Sequence, residues 1–156
     1  MNTHYQVLVI GGGNAGLSAA SQLLIKNSSL SIAIIEPSQK HYYQPAWTLV
    51  GAGEFDINDT EKDEADFIPK GATWIQDAVA TFQPENNQVT CTSGTVYTYD
   101  SMIVAPGIQL DWDKIKGFKE TLGKNEVSCN YSFEMAPYTW ELIKNFEGGT
   151  AVFTNP

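Results

Sequence analysis

Glycines and one acidic residue near the N-terminus have the types and spacing needed to bind a dinucleotide. The range Gly11–Gly16 has the sequence GGGNAG, an instance of the pattern GxGxxG, and Glu36 follows 20 positions after Gly16. In this motif Gly11 permits a tight turn and Gly13 lets a pyrophosphate approach the backbone. Gly16 lets the following helix pack closely on the preceding strand.

The start of that helix and the acidic residue would supply the polar contacts. The N–H groups near Asn14 and Ala15 have no partner inside a helix, so we predict that they stabilise the phosphate charge. Glu36 is predicted to accept hydrogen bonds from both ribose hydroxyls, and its charge disfavours the 2′-phosphate of NADP. The competing interpretation is a glycine-rich turn without a ligand, which the strand before the loop and the helix after it disfavour.

Three elements must position these residues. The nearly continuous apolar run Tyr5–Ile10 is typical of a strand buried on both faces of a parallel sheet. Small and apolar residues at helical spacing predict a helix over Asn14–Asn27, and Leu30–Ile35 is predicted as a second buried strand. The result is a right-handed β-α-β unit. We therefore predict an α/β, Rossmann-like, three-layer FAD/NAD(P)-binding fold with a parallel sheet.

Turn signals divide the rest of the chain into shorter elements, including a small antiparallel β-meander. A helix is expected near residues 132–146, with Ala136, Trp140 and Ile143 on its inner side, and a short one at 46–50. The predicted strands are residues 73–76, 78–82, 88–92 and 95–99, a buried strand at 101–105, and the start of a new element at 150–154.

Composition excludes several classes of function. The net charge is −9 and all nine basic residues are lysines, so there is no basic stripe for nucleic acid. Seven acidic residues lie within 54–66, and we predict a solvated surface segment there. Cys91 and Cys129 form no CxxC pattern, and His4 and His41 are isolated, so no metal site is predicted.

The glycine pattern does not separate FAD from NAD, but a later segment does. The range Val104–Gly107 has the sequence VAPG at the end of a predicted strand. Flavoproteins of the glutathione-reductase type return the chain to the cofactor at such a strand exit. Alone it would equally fit an ordinary exit from a strand. Combined with the N-terminal unit and the meander, it favours FAD.

The residues 36–53, EPSQKHYYQPAWTLVGAG, resemble the signature of sulfide:quinone oxidoreductases, especially the type that includes the mitochondrial enzyme. Residues 103–110, 130–132 and 151–156 resemble later landmarks of the same family, in the same order. The resemblance covers essentially the whole chain. Lys40 departs from it, since the family usually has arginine before the His-Tyr-Tyr run, and Pro106 is also less typical.

The resemblance implies bound FAD, oxidation of sulfide to persulfide or polysulfide sulfur, and transfer of two electrons to quinone. By position, Asn14 and Ala15 would contact the FAD phosphates and Glu36 would hold the adenosine ribose. Further positions carried over from the family are Gln44 along the cofactor, the backbone of Val79 at the adenine, and Ala105 and Gly107 beside the flavin.

The resemblance also implies what this chain lacks. The family's two catalytic cysteines fall outside it, and neither Cys91 nor Cys129 matches either position, so no catalytic residue is assigned. We expect residues 1–147 to be the N-terminal portion of an FAD-binding domain and 148–156 to begin the next domain of a longer parent protein.

Two alternatives stay open: the FAD-binding part of a type II NADH dehydrogenase-like flavoenzyme, and a non-catalytic FAD-binding remnant. We expect a cytoplasmic location, peripheral at the inner face of the membrane in the full-length protein through C-terminal helices. Homo-oligomer formation is open.

Overall fold

A computed structural model describes residues 3–154 of the chain. The strands are β1 (His4–Ile10), β2 (Ile32–Ile35), β3 (Lys40–Tyr42), β4 (Glu61–Asp63), β5 (Ala72–Ile75), β6 (Val79–Gln83), β7 (Gln88–Cys91) and β8 (Val96–Val104). The helices are α1 (Asn14–Lys26), α2 (Trp47–Gly51), α3 (Phe118–Thr121) and α4 (Ala136–Lys144). The chain forms two compact units, the first made of residues up to Tyr42 with Lys62–Gln109, the second of Tyr43–Glu61 with the chain from Leu110 onward.

The first unit is built on a six-stranded sheet with the order β5-β2-β1-β8-β7-β6. β1 is parallel to both β2 and β8, and β2 is parallel to β5. β7 is antiparallel to β6 and β8, so the predicted meander is confirmed and forms one side of the main sheet. β3 and β4 form a separate two-stranded sheet. The predicted α/β class with a mostly parallel sheet is confirmed.

The two faces of the sheet have separate apolar clusters because side chains alternate along a strand. Val7 and Val9 of β1 lie in one cluster, with Leu17, Ala20 and Leu24 of α1. Leu8 and Ile10 lie in the cluster on the other face, together with Ala33, Ile35, Val89 and Cys91. Both faces of β1 and β2 are therefore buried, as their continuous apolar sequences predicted.

One sequence prediction within the sheet is wrong. Residues 95–99 and 101–105 were predicted as two strands, but the single strand β8 runs from Val96 to Val104. β1 lies beside β8 on both sides of Asp100, so the strand continues through this residue, whose exposed side chain lies near His4. The second half of β8 is also not fully buried, and Val104 is 52% exposed.

The second unit has its own apolar cluster, in which Trp47 and Val50 of α2 pack with Ala136 of α4. Of the predicted inner residues of α4, Ala136 is buried, but Trp140 and Ile143 are exposed, so that part of the prediction is wrong. α4 also begins later than predicted. Pro137 lies in its first turn and lacks the N–H that a preceding turn would need.

The predicted element at 150–154 does not form a strand. Val152 and Phe153 are exposed, and no described strand pairs with them. Asn155 and Pro156, the end of the last family landmark, lie outside the described residues. Within residues 3–154, no helix combines the length and apolarity needed to cross a bilayer, and no cluster of three or more side chains could hold a metal ion. The domain boundary at residue 147 stays a prediction.

Candidate functional site

The glycines of the loop between β1 and α1 differ in their surroundings. Gly11 has a φ of +104°, donates its N–H to the carbonyl of Ile35 at 2.9 Å, and lies against the carbonyl of Ala105, which a Cβ on Gly11 would overlap. A Cβ on Gly16 would overlap the carbonyl oxygen of Gly11 and reach within 3.1 Å of Val9 Cγ1. Both glycines are thus required by close packing of strand, loop and helix.

Gly13 has the opposite environment, because nothing lies within 4 Å of the position that its Cβ would take. Gly13, Asn14 and Ala15 are exposed, whereas Gly11, Gly12 and Gly16 are buried. The loop therefore presents one open face at the start of α1. Open space over a glycine is what close approach of a phosphate to the backbone requires.

The N-terminus of α1 is available to an anion. Gly13 is the N-cap and makes no side-chain capping hydrogen bond, and the first turn contains no acidic residue. The first intrahelical bond runs from the N–H of Leu17 to the carbonyl of Gly13 at 3.0 Å. The N–H groups before Leu17 have no partner within the helix, so they and the helix dipole favour a bound negative charge.

Glu36 is held beside this loop by four hydrogen bonds. Its backbone N–H donates to the carbonyl of Ile75 at 3.0 Å, and its carbonyl accepts from Trp74 Nε1 at 2.9 Å. Its Oε2 accepts the N–H of Gly12 at 2.8 Å, and its Oε1 accepts the N–H of Ser38 at 2.7 Å. The carboxylate is half-buried and fixed at the loop, and each of its oxygens retains a lone pair for a further donor.

The exit from β8 also reaches the loop. Ala105 donates its N–H to the carbonyl of Ile10 at 2.8 Å, which extends the β1–β8 ladder up to the point where the loop begins. Gly107 follows with a φ of +74° and open space around it. The structure thus places Gly11, Gly16, Glu36 and Ala105 at the same loop.

The remaining two predicted residues, Val79 and Gln44, lie in other elements. Val79 begins β6, pairs with Cys91, and precedes an irregularity in the ladder between Val79 and Thr81. Gln44 lies in the 3-10 turn Gln44–Ala46, which belongs to the second unit. The cofactor contacts assigned to Val79 and Gln44 stay predictions.

The sequence prediction missed one buried acidic residue at this site. Glu64 was predicted to be part of a solvated segment, but it is 1% exposed, so the prediction is wrong at this position. Its Oε2 lies 3.0 Å from Nδ1 of His41, whose side chain is 12% exposed. Burial raises the pKa of Glu64, the hydrogen bond and charge of His41 oppose the rise, and the negative charge of Glu36 adds to it.

No sequence signal identifies this pair, because its members are 23 positions apart and lie in a stretch rich in acidic residues. The backbone explains the burial. The N–H of Glu64 donates to the carbonyl of Gln39 at 2.9 Å, which fixes the backbone of Glu64 beside the residue that precedes β3. The ring of Phe67 stacks on His41 with centroids 4.6 Å apart and covers it.

The two cysteines have no features of a reactive pair. Cys91 is 2% exposed, and burial, with the nearby charge of Asp77, raises the pKa of its thiol to about 11. A thiol is a nucleophile only when deprotonated, so Cys91 is inert near neutral pH. Cys129 is half-buried, and its Sγ accepts the N–H of Tyr131 at 3.4 Å.

Comparisons with known proteins agree with this geometry. The family model described as pyridine nucleotide-disulphide oxidoreductase matches residues 5–132. The chain is 52% identical over 154 residues to the mitochondrial sulfide:quinone oxidoreductase of Dictyostelium discoideum, covering 97% of this chain and 34% of that protein. It is 41% identical over 153 residues to the mitochondrial sulfide:quinone oxidoreductase of Mus musculus, covering 98% and 34%.

A solved structure is also similar. The sulfide:quinone oxidoreductase of the bacterium Aquifex aeolicus matches with a TM-score of 0.66 and 25% identity over 92% of this chain and 32% of that one. The resemblance inferred from residues 36–53 is thereby confirmed. The chain spans about a third of the length of the curated relatives that it matches.

Proposed function

Because the chain belongs to the pyridine nucleotide-disulphide oxidoreductase family, we propose that it binds FAD and is the FAD-binding portion of a sulfide:quinone oxidoreductase. The observation that carries the proposal is the pairing of an open, uncapped α1 N-terminus with the carboxylate of Glu36 at the same loop. These groups match the pyrophosphate and the ribose of a dinucleotide. The relatives named as sulfide:quinone oxidoreductases support the choice of enzyme.

In the proposed complex each residue has a limited task. The N–H groups at Gly13, Asn14 and Ala15 would bind the pyrophosphate, and the open face over Gly13 would admit it. Glu36 would accept hydrogen bonds from the ribose hydroxyls. Ala105 and Gly107 would border the flavin. FAD, when bound, would supply the two-electron acceptor between sulfide and quinone.

Within this proposal, sulfide loses two electrons to become persulfide or polysulfide sulfur, and quinone gains two electrons and two protons. The cysteines that would react with sulfur are not assigned in this chain, and the inert environment of Cys91 agrees with that. We also propose a peripheral position at a membrane for the full-length protein. The similar proteins from Dictyostelium and mouse are named as mitochondrial enzymes.

Titration of the purified chain with FAD, followed by quenching of flavin fluorescence, tests the central step. We expect saturable binding, and replacement Glu36→Ala should weaken it by about 1–3 kcal/mol because a hydrogen-bonded carboxylate is lost. That loss corresponds to about 5–150-fold in Kd. Glu85→Ala is the matched control, since it removes an exposed acidic residue from a 3-10 turn at the far end of β6.

Two results would contradict the proposal. A wild-type chain that binds no FAD at saturating concentration would exclude the cofactor, and equal affinities of wild type and Glu36→Ala would show that the ribose is held differently. The enzyme assignment has its own test. The product of the complete gene should reduce a ubiquinone analogue with sulfide as donor, and reduction with NADH instead would favour the NADH dehydrogenase alternative.

A further inference from the structure

The buried pair formed by Glu64 and His41 takes no part in the proposed contacts with FAD. Glu64 is among the largest fully buried side chains of the described residues. It carries a carboxyl group, whereas most of the others are apolar. Burying a carboxyl group is costly unless it is paired and hydrogen-bonded. Here only Oε2 is paired, with His41, while the buried Oε1 has no hydrogen-bond partner.

The unpaired oxygen lies at the nucleotide loop. Oε1 of Glu64 occupies the space that a side chain on Gly12 would need, and Cγ and Cβ of Glu36 lie on the same position, at 2.6 and 2.8 Å from an ideal Cβ. Gly12 is therefore enclosed by two acidic side chains. The same Gly12 donates its N–H to Oε2 of Glu36 at 2.8 Å.

We propose that Glu64 and His41 are positioning residues for nucleotide binding, which act by holding Gly12 and the carboxylate of Glu36 in place at the loop. This inference rests on the proposed function, because Glu36 is the residue assigned there to the ribose. Glu64 and His41 do not touch the ligand in this scheme. They act through Glu36.

The physical basis is the combination of packing and charge. Glu64 fills the space behind Gly12, so the Gly12 N–H stays directed at Glu36. Two carboxylates close to the same glycine repel each other, which disfavours rotation of the Glu36 side chain towards Glu64. His41 offsets the buried charge of Glu64, and Phe67 covers the imidazole ring.

FAD affinity distinguishes a positioning role of Glu64 from a role in folding alone. If Glu64 only supported folding, its replacement would weaken FAD binding to the same extent whether or not Glu36 is present. If it acts through Glu36, the effect should disappear when Glu36 is absent. A double-mutant cycle measures this coupling directly, because the two residues lie against the same glycine.

The experiment measures FAD affinity by fluorescence quenching for wild type, Glu64→Gln, Glu36→Ala and the double variant. Glu64→Gln keeps the shape of the side chain and removes its charge. We expect it to weaken FAD binding about tenfold in the wild-type background, equivalent to about 1.4 kcal/mol, and less than about twofold in the Glu36→Ala background. Asp66→Asn is the matched control, since it removes an exposed charge from the same 3-10 turn.

Equal affinities of wild type and Glu64→Gln would overturn the inference, as would equal losses in the two backgrounds. If Glu64→Gln does not fold, His41→Gln is tested in the same cycle, because it breaks the pair from its more exposed side. Absence of FAD binding by the wild-type chain would instead overturn the proposed function. The inference alone fails if wild type binds FAD normally and Glu36→Ala binds it more weakly, but Glu64→Gln has no effect or the same effect in both backgrounds.

Discussion

The different environments of Gly11 and Gly13 lead to a prediction that separates folding from ligand binding. Replacement of each glycine by alanine adds a single methyl group to the same loop. At Gly11 the methyl group would overlap the carbonyl of Ala105 and lie 3.0 Å from Pro106 Cα. At Gly13 it would meet no atom within 4 Å.

The expected loss of stability for Gly11→Ala follows from the contacts of Gly11. Gly11→Ala forces a residue with a Cβ to adopt a φ of +104°, which costs about 1–3 kcal/mol. Displacement of the β8 exit by the methyl group adds to this cost, so we expect a loss of about 2–4 kcal/mol in the free energy of unfolding. For a chain of this size, that loss lowers Tm by roughly 4–16 °C.

Gly13→Ala should be nearly neutral for folding. The backbone of Gly13, with φ −69° and ψ 177°, is accessible to alanine, and reduced freedom of the unfolded chain stabilises the variant by about 0.4–1 kcal/mol. Alanine is a poorer N-cap than glycine, which offsets that gain. The net change is within about 1 kcal/mol. The methyl group covers the open face, however, so FAD affinity should fall by at least about tenfold.

The assay compares thermal unfolding by circular dichroism with FAD titration for both variants. Gly94→Ala serves as a control for the effect of positive φ alone, because Gly94 has a φ of +85° with open space around it in the hairpin after β7. A Tm for Gly13→Ala that is lowered as much as that of Gly11→Ala would refute the assignment of Gly13 to an open face. Wild-type FAD affinity of Gly13→Ala would refute the proposed approach of the pyrophosphate at this glycine.

Two further predictions concern ionisation. Because burial raises the pKa of Cys91 to about 11, a thiol reagent at pH 8 should modify Cys129 first. Native Cys129→Ser protein should then react only upon unfolding, and rapid reaction would contradict this. Hydrogen bonds from Ser93 and Thr92 lower the pKa of Asp77 from 3.8 to about 2, so the charge of Asp77 stabilises the fold above about pH 4, and this contribution is lost as the pH falls towards 2. Thermal melts should show a higher Tm for wild type than for Asp77→Asn at pH 6, and this difference in Tm should shrink as the pH falls from about 4 towards 2. A difference in Tm that is independent of pH would exclude stabilisation by the charge of Asp77.

Local sequence determined the core of this fold. The continuous apolar runs at β1 and β2 predicted strands buried on both faces, and both are buried. The glycine spacing predicted the turn into α1, and the carboxylate of Glu36 lies at that turn. These features were predictable because strand, turn and helix preferences depend on neighbours within a few residues.

Sequence was less informative where the outcome depends on a partner strand. Residues 95–99 and 101–105 were predicted as separate strands, yet β8 is continuous because β1 pairs alongside both stretches. Residues 150–154 have strand-forming side chains but no described strand beside them, and they stay exposed. Strand propensity is realised only when a neighbour supplies the hydrogen bonds and covers the side chains.

In the loop Gly11–Gly16, some features depend on local sequence and others on tertiary contacts. Its sequence determined that a dinucleotide-type turn forms, since the three spaced glycines, the strand before them and the helix after them are all local features. Only the tertiary structure decided which glycine packs against Ala105, which stays open, and which is enclosed by Glu36 and Glu64. Glu64 looked like any other acid in its segment. Its burial depends on contacts with residues 23 and 52 positions away, His41 and Gly12, which only the folded chain brings together.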